Sequence, residues 1–212
     1  MNEDGVCRLT KVLTLIWKKG VIPEEWKEGV IIPVYKKGNE NSVENYRGVS
    51  LMDSGYKIYT DILREKLIKE IRNKNVYNET QFGFRSGRGT IDAIYVLKNA
   101  VQKIIEKKQS VYLLFVDLKA AFDNVDRMEL YRMLKSKNID DDIIIRIMSV
   151  YIETKNIVKI KNKEIGEFWT YRGVRQGCKL SSEMYNVYVS DMEERLKKAN
   201  EGGIIIGNSK IW

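Results

Sequence analysis

Residues 126–177 read DRMELYRMLKSKNIDDDIIIRIMSVYIETKNIVKIKNKEIGEFWTYRGVRQG, and the order of patterns in this stretch sets the fold class. Asp126 and Glu129 have the spacing of a helix N-cap and its acidic N3 residue. A second helical pattern covers about Asp141–Tyr151. Two short strands follow, Ile157–Lys161 and Ile165–Trp169, joined by a turn at Asn162-Lys163. Helices come in one block and strands in another, without the strict alternation that builds a doubly wound sheet. The prediction is an α+β fold.

The flanking sequence extends the pattern. Leu9–Lys19 is an amphipathic helix stopped by Gly20. Pro23 and Trp26 lead into an apolar strand, Val30–Tyr35, followed by the basic turn Lys36-Lys37-Gly38 and a polar loop ending in Asn45-Tyr46-Arg47. Tyr56, Tyr59, Leu63, Leu67 and Ile71 recur at helical spacing, which predicts a helix over about 55–72. Residues 81–90, QFGFRSGRGT, read as a basic glycine-rich loop, after which Thr90 can cap a helix carrying Ile94, Leu97, Val101 and Ile105. Val111–Val116 is a continuous apolar run, expected to be a strand covered on both faces and ending at Asp117. Past the loop Gly173–Gly177, the four-residue spacing of Met184, Tyr188, Met192 and Leu196 predicts one long helix.

Composition narrows the chemistry. With 43% hydrophobic and 31% charged residues, the 212-residue chain has material for a folded core. The net charge of +8 favours polyanionic partners. The absence of histidine excludes His-dependent triads, His general bases and most zinc sites. Cys7 and Cys178 show no metal-type spacing, and two isolated cysteines suit a reducing, intracellular setting, nucleus or cytoplasm. No secretion signal is expected, and no apolar run reaches the length of a membrane span.

Carboxylates, lysines and arginines are therefore the candidate functional groups. Asp117, at the end of its apolar run, suits a hard cation such as Mg²⁺, against the plainer role of ending a strand. Asp123 and Asp126 read as turn and cap residues. Lys36, Lys37 and Arg47 could clamp a triphosphate or form a solvated basic loop. Arg85 and Arg88, set between glycines, could grip a nucleic-acid backbone or belong to a surface turn. Glycines around Gln176 would let that amide approach a ligand, and a tight turn into a helix explains them equally well.

Taken in order, these pieces resemble the reverse transcriptases of non-LTR (LINE-type, jockey-like) retrotransposons over about Ile22–Ile211. IPEEWKEGVIIPVYKKG and NYRGVSL are similar to the family's fingers motifs, and ETQFGFRSGRGTIDAI to its next motif. FVDLKAAFDNVDR resembles motif A, and GVRQGCKLSSEMYNVY resembles motif B. The resemblance implies a right-hand polymerase, with fingers at about 1–90 and 127–170, a partial palm at about 91–126 and 171–212, and no thumb. It implies RNA-directed DNA polymerisation, with an RNA template, a DNA primer, deoxynucleoside triphosphates and two Mg²⁺ ions. By the same resemblance Asp117 is the catalytic metal ligand, and Phe122 the aromatic gate under the sugar. Lys36 (or Lys37) and Arg47 contact the triphosphate, Gln176 and Gly177 face the nucleotide, and Arg85 and Arg88 lie near the template.

Two departures set further expectations. Lys179 and Ser182 stand where motif B usually has prolines, which should loosen the entry to the following helix. The family's Tyr-x-Asp-Asp motif is not found, although GGIIIGNSKIW resembles the segment before it. The expectation is a truncated palm sheet and a chain that is inactive alone. The alternatives are a non-catalytic RNA- or DNA-binding remnant and a non-functional product of a decayed element.

Overall fold

A computed structural model describes residues 2–161, 163–199, 204–206 and 209–211, the last two segments by backbone alone. Helix α1 (Glu3–Lys19) starts earlier than its apolar pattern because the Asn2 side chain accepts from the Gly5 amide. It ends where Gly20 turns left-handed at φ 66°. After the single turn α2 (Glu24–Lys27), strands β1 (Glu28–Tyr35) and β2 (Tyr46–Leu51) form an antiparallel pair that places Val34 opposite Arg47.

Helix α3 (Ser54–Asn73), capped by Asp53, buries Tyr56, Tyr59, Leu63, Leu67 and Ile71, the predicted stripe. The loop to α4 (Thr90–Glu106) is irregular. The helices α5 (Arg127–Ser136) and α6 (Asp141–Tyr151) follow, each capped by an aspartate, Asp126 and Asp140. Strands β3 (Thr154–Ile160) and β4 (Lys163–Thr170) form the second hairpin. The four-stranded sheet has the order β2-β1-β3-β4, with β1 and β3 parallel. Helices α7 (Lys179–Val189) and α8 (Met192–Ala199) lead to a two-stranded antiparallel pair, β5 (Ile204–Ile206) and β6 (Ser209–Ile211). Helix and sheet blocks are segregated, as an α+β fold requires. Among the described residues no helix is long and apolar enough to cross a membrane.

The core lies among α3, α5, α6 and α7, and one buried side chain ties it to the sheet. Arg127, the first residue of α5, donates from Nε to the Gly173 carbonyl (2.9 Å) and from Nη1 to those of Tyr151 (2.6 Å) and Thr170 (3.0 Å). Its Nη2 donates to Thr154 Oγ1 (3.0 Å) and the Arg172 carbonyl (3.2 Å). Burial pulls its pKa down, yet guanidinium stays charged, so carbonyl dipoles must replace its water. The end of α6, the base of the β3–β4 hairpin and the following loop thus share one donor.

Three sequence expectations fail. Val111–Val116 is not a strand covered on both faces: Tyr112, Leu114, Phe115 and Val116 are 73–92% exposed, and Asp117 is exposed. A strand needs a partner row of amides and carbonyls, and among the described residues no strand pairs with this segment. On α4, Ile94, Leu97 and Ile105 are exposed while Ala100 and Ile104 are buried, and Thr90 is the first helical residue, after the N-cap Gly89. The long C-terminal helix is two helices broken at Ser190-Asp191, with Met192 and Leu196 exposed.

Replacing Arg127 with Leu leaves several buried carbonyls without a donor at once, at an expected cost of about 3 kcal/mol. Arg127→Lys should recover little, because one ammonium cannot reach the same oxygens. The measurement is the midpoint of urea unfolding; a midpoint unchanged in Arg127→Leu would remove the guanidinium from this role.

Candidate nucleotide site

The loop 171–178 and the segment 118–125 are laced together by backbone. Gly173 N donates to the Val125 carbonyl (2.8 Å) and Val174 N to the Phe122 carbonyl (2.9 Å). The approach depends on Gly173, whose φ is +82°; a Cβ there would stand 2.8 Å from the Asp123 carbonyl oxygen. Gly177, at φ +103°, lies similarly against the Ser50 carbonyl of β2, where a Cβ would come within 3.1 Å. The loop is therefore held between the 118–125 segment on one side and β2 on the other.

Arg175 fixes its middle. The buried guanidinium donates to the carbonyls of Trp26 (3.1 Å) and Lys27 and sits 4.9 Å over the Tyr56 ring. Burial, foremost, pushes the Tyr56 hydroxyl well above its ordinary pKa. Arg175 being committed inward, Gln176 faces out, and its Nε2 donates to both oxygens of Asp123 (3.1 Å each). The Gln176 amide group is thereby oriented by a carboxylate that the sequence reading treated only as a turn residue.

The resulting cavity, about 880 Å³, is lined by Lys36, just after β1, and Arg47 of β2, by Lys119, Phe122 and Asp123, and by Gln176, Gly177 and Ser182. Phe122 is set by two rings: Tyr185 of α7 stacks on it at 5.0 Å, and Phe84 meets it edge-on at 5.8 Å. Phe84 gets there because the glycine-rich loop is bonded to α7. Asn186 Nδ2 donates to the Gly83 carbonyl (2.9 Å), and Asn78 Nδ2 to that of Ser190 (2.7 Å). Buried Glu183 completes the attachment, accepting from Arg64 (3.0 Å) and Tyr77 (2.7 Å). Burial and then the Glu183 carboxylate push the Tyr77 hydroxyl far up.

Of the residues singled out in the sequence, Lys36, Arg47, Phe122, Gln176 and Gly177 meet at this one cavity. Lys37 is absent from its lining, and Asp117 stands one residue before the lining residue Leu118. Arg85 and Arg88 do not reach it. Both pair with Glu79, whose carboxyl is held below its usual range chiefly by Arg88, and they lie over the rings of Tyr77 and Phe82. Sequence reasoning missed Phe84, Lys119, Tyr185 and the Asp123–Gln176 bond; nothing in the spacing of Asp123 and Gln176 signals their pairing. Lys179, where proline was expected, bonds Asp61 of α3 (2.9 Å) and thus docks the start of α7. Among the described residues no three Cys, Asp or Glu side chains come together as a metal would need.

Gly173→Ala places a Cβ against the Asp123 backbone in a strained conformation, and a loss of about 1–3 kcal/mol is expected in urea unfolding. An unchanged midpoint would show that the loop contact is dispensable.

Residues 34–209 match the family model described as "Reverse transcriptase (RNA-dependent DNA polymerase)". Similar relatives include the probable RNA-directed DNA polymerase from transposon BS of Drosophila melanogaster (26% identity, 89% of this chain, 21% of that protein). Another is the RNA-directed DNA polymerase from mobile element jockey of Drosophila funebris (24% identity, 97% of this chain, 23% of that protein). A third is the transposon TX1 uncharacterized 149 kDa protein of Xenopus laevis (26% identity, 92% and 15%). The chain thus spans less than a quarter of the length of these relatives. Among solved structures, apo telomerase from Candida tropicalis, truncated from its C-terminal domain, shares the fold. The TM-score is 0.56 at 16% identity, over 94% of this chain and 46% of that one.

Proposed function

The chain belongs to the reverse transcriptase (RNA-dependent DNA polymerase) family, and from that premise we propose that its cavity binds the incoming deoxynucleoside triphosphate of a retrotransposon polymerase. The observation that carries this reading is the convergence of Lys36, Arg47, Phe122, Gln176 and Gly177 on one cavity from three separate stretches of chain. Lys36 and Arg47 supply positive charge at the β1–β2 side. Arg47 offers a planar fork for phosphate oxygens, and Lys36 a point charge.

Phe122 supports selection against ribose. Clamped between Tyr185 and Phe84, the ring cannot swing away without losing both aromatic contacts, so a sugar carrying a 2′-hydroxyl meets a fixed wall. Gln176 has its amide nitrogen committed to Asp123, which leaves the amide oxygen as the acceptor for a donor on the nucleotide. In this reading residues 1–90 and 127–170 are the fingers, and 91–126 with 171–212 are part of the palm. An RNA template and a DNA primer are the partners.

Family members use divalent metal ions, and Asp117 is proposed as one ligand. A pair of such ions needs several hard oxygen ligands together, and the described residues do not assemble them. The tests are therefore binding measurements. With a fluorescent deoxynucleoside triphosphate, Lys36→Ala and Arg47→Ala should each weaken binding about tenfold, as expected for loss of a charged hydrogen bond. Lys37→Ala should change it less than about twofold, as for a solvated surface charge. Equal effects of all three would point to general attraction by a basic loop. Phe122→Ala should raise the affinity for the ribonucleotide relative to its deoxy counterpart; an unchanged ratio would remove the ring from sugar selection.

A further inference from the structure

The glycine-rich loop reaches the nucleotide cavity through Phe84. Arg85 and Arg88 are turned to Glu79, so Phe84 is the side chain that the loop presents there. Phe84 also lines a neighbouring cavity of about 540 Å³ and is thus a wall shared by both. Its backbone is left-handed, at φ +53°, where a bulky side chain is strained and glycine is not. The loop has glycine at 83, 87 and 89, yet this position holds an aromatic ring. Core packing does not account for the ring, because Phe84 is 57% exposed.

The chain on either side holds Phe84 in this conformation. The Gly83 carbonyl accepts from Asn186 Nδ2 (2.9 Å), and Arg85 Nη1 donates to the Asn78 carbonyl (2.7 Å). Gln81 Nε2 adds a bond to the Asn186 carbonyl (3.2 Å). Strain that the surroundings enforce in this way points to a use for the side chain, and the ring that Phe84 meets is Phe122. The Phe84 ring stands at 89° to Phe122, whereas Tyr185 lies nearly parallel to it, at 16°. The two contacts act differently. A stack tolerates sliding of one ring across the other, so Tyr185 alone leaves Phe122 free to move along its face. A perpendicular ring has a preferred offset and fixes where on that face Phe122 rests.

We propose that Phe84 is a specificity-determining residue, a positioning residue that acts through Phe122 to set the preference for deoxy- over ribonucleoside triphosphates. This role rests on the reading of the cavity as a polymerase nucleotide site with Phe122 as its sugar gate. It gives the glycine-rich loop a share in sugar selection, although the arginines of the loop are directed elsewhere. Without the edge contact Phe122 slides along Tyr185 and opens the space that a 2′-hydroxyl needs.

The test is binding of fluorescent deoxy- and ribonucleoside triphosphates by the 212-residue chain, read as the ratio of the two affinities. Phe84→Gly removes the ring and relieves the left-handed backbone, so its thermal melt should stay near that of wild type. Its affinity ratio should nonetheless shrink by about two- to tenfold, the range to which one aromatic pair contact converts. Phe84→Asn, which also tolerates this backbone, should shrink the ratio alike, and Phe84→Tyr, which keeps a ring, should restore most of it. Adding Phe84→Gly to Phe122→Ala should leave the ratio of Phe122→Ala unchanged, because Phe84 acts only through that ring. A wild-type ratio in both ring-less variants, with that of Phe122→Ala altered, overturns the role of Phe84 and leaves the cavity reading standing. A further loss in the double variant also overturns it, since the two rings would then act separately. If wild type binds no nucleotide, or Phe122→Ala keeps the wild-type ratio, the cavity reading itself fails and this role with it.

Discussion

A guanidinium whose three nitrogens all donate to oxygen is the constraint on which the rest of this molecule depends. Arg127 has its donors committed to four carbonyls and one hydroxyl, and among the described residues no carboxylate pairs with it. An ion pair would neutralise the charge through one neighbour. Distributing it over carbonyl dipoles instead draws oxygens from α6, β3, β4 and the loop 171–173 to one point. Each carbonyl satisfied there is also a backbone group that loses its water on folding, so the arginine solves two desolvation problems together. The sheet base cannot shift relative to the helical core without unpairing several of them.

That fixed point sets the geometry of the cavity downstream. Gly173, whose carbonyl takes the Arg127 Nε, also donates its amide to Val125, two residues before Arg127 itself. The loop is consequently closed onto the 122–127 segment, and Asp123 comes within reach of Gln176. Two residues after Gly173, Arg175 repeats the device against the Trp26 and Lys27 carbonyls, with Tyr56 as its aromatic floor. One wall of the cavity is built on buried arginines and glycines with no room for a Cβ, and the opposite wall is an exposed hairpin loop. Positions on the first wall hold their side chains in place; positions on the second present charge.

The sequence was informative wherever a segment's structure follows from its own residues. The stripe Tyr56–Ile71, the Asp126 cap and the stop at Gly20 depend on local spacing, and the structure has all three. Five of the residues marked through family resemblance share one cavity, because the order of motifs along a chain encodes which loops converge. What failed depended on partners. An apolar run such as Val111–Val116 reads as a buried strand only if another strand lies beside it, and apolarity in one segment carries no information about the neighbour. The apolar residues of α4 misled for the same reason. The four-residue spacing from Met184 to Leu196 continued through Ser190 and Asp191, where the Ser190 hydroxyl bonds the Val187 carbonyl and the helix breaks.

Charge was the least legible property, since a formal count does not distinguish cations that fold the chain from cations left to meet a ligand. Arg127 and Arg175 are spent on carbonyls, Arg64 on Glu183, and Arg85 and Arg88 on Glu79. In sequence, the glycine-flanked pair Arg85 and Arg88 looks as available as Lys36 and Arg47, and Glu79 lies only a few residues upstream of it. The difference is geometric. The glycines let the chain fold back so that both guanidinium groups reach that one acid, whereas the β1–β2 hairpin extends Lys36 and Arg47 away from the core. The net charge of +8 therefore understates how unevenly positive charge is offered. An anion arriving from solvent meets the cations that the fold has not already used.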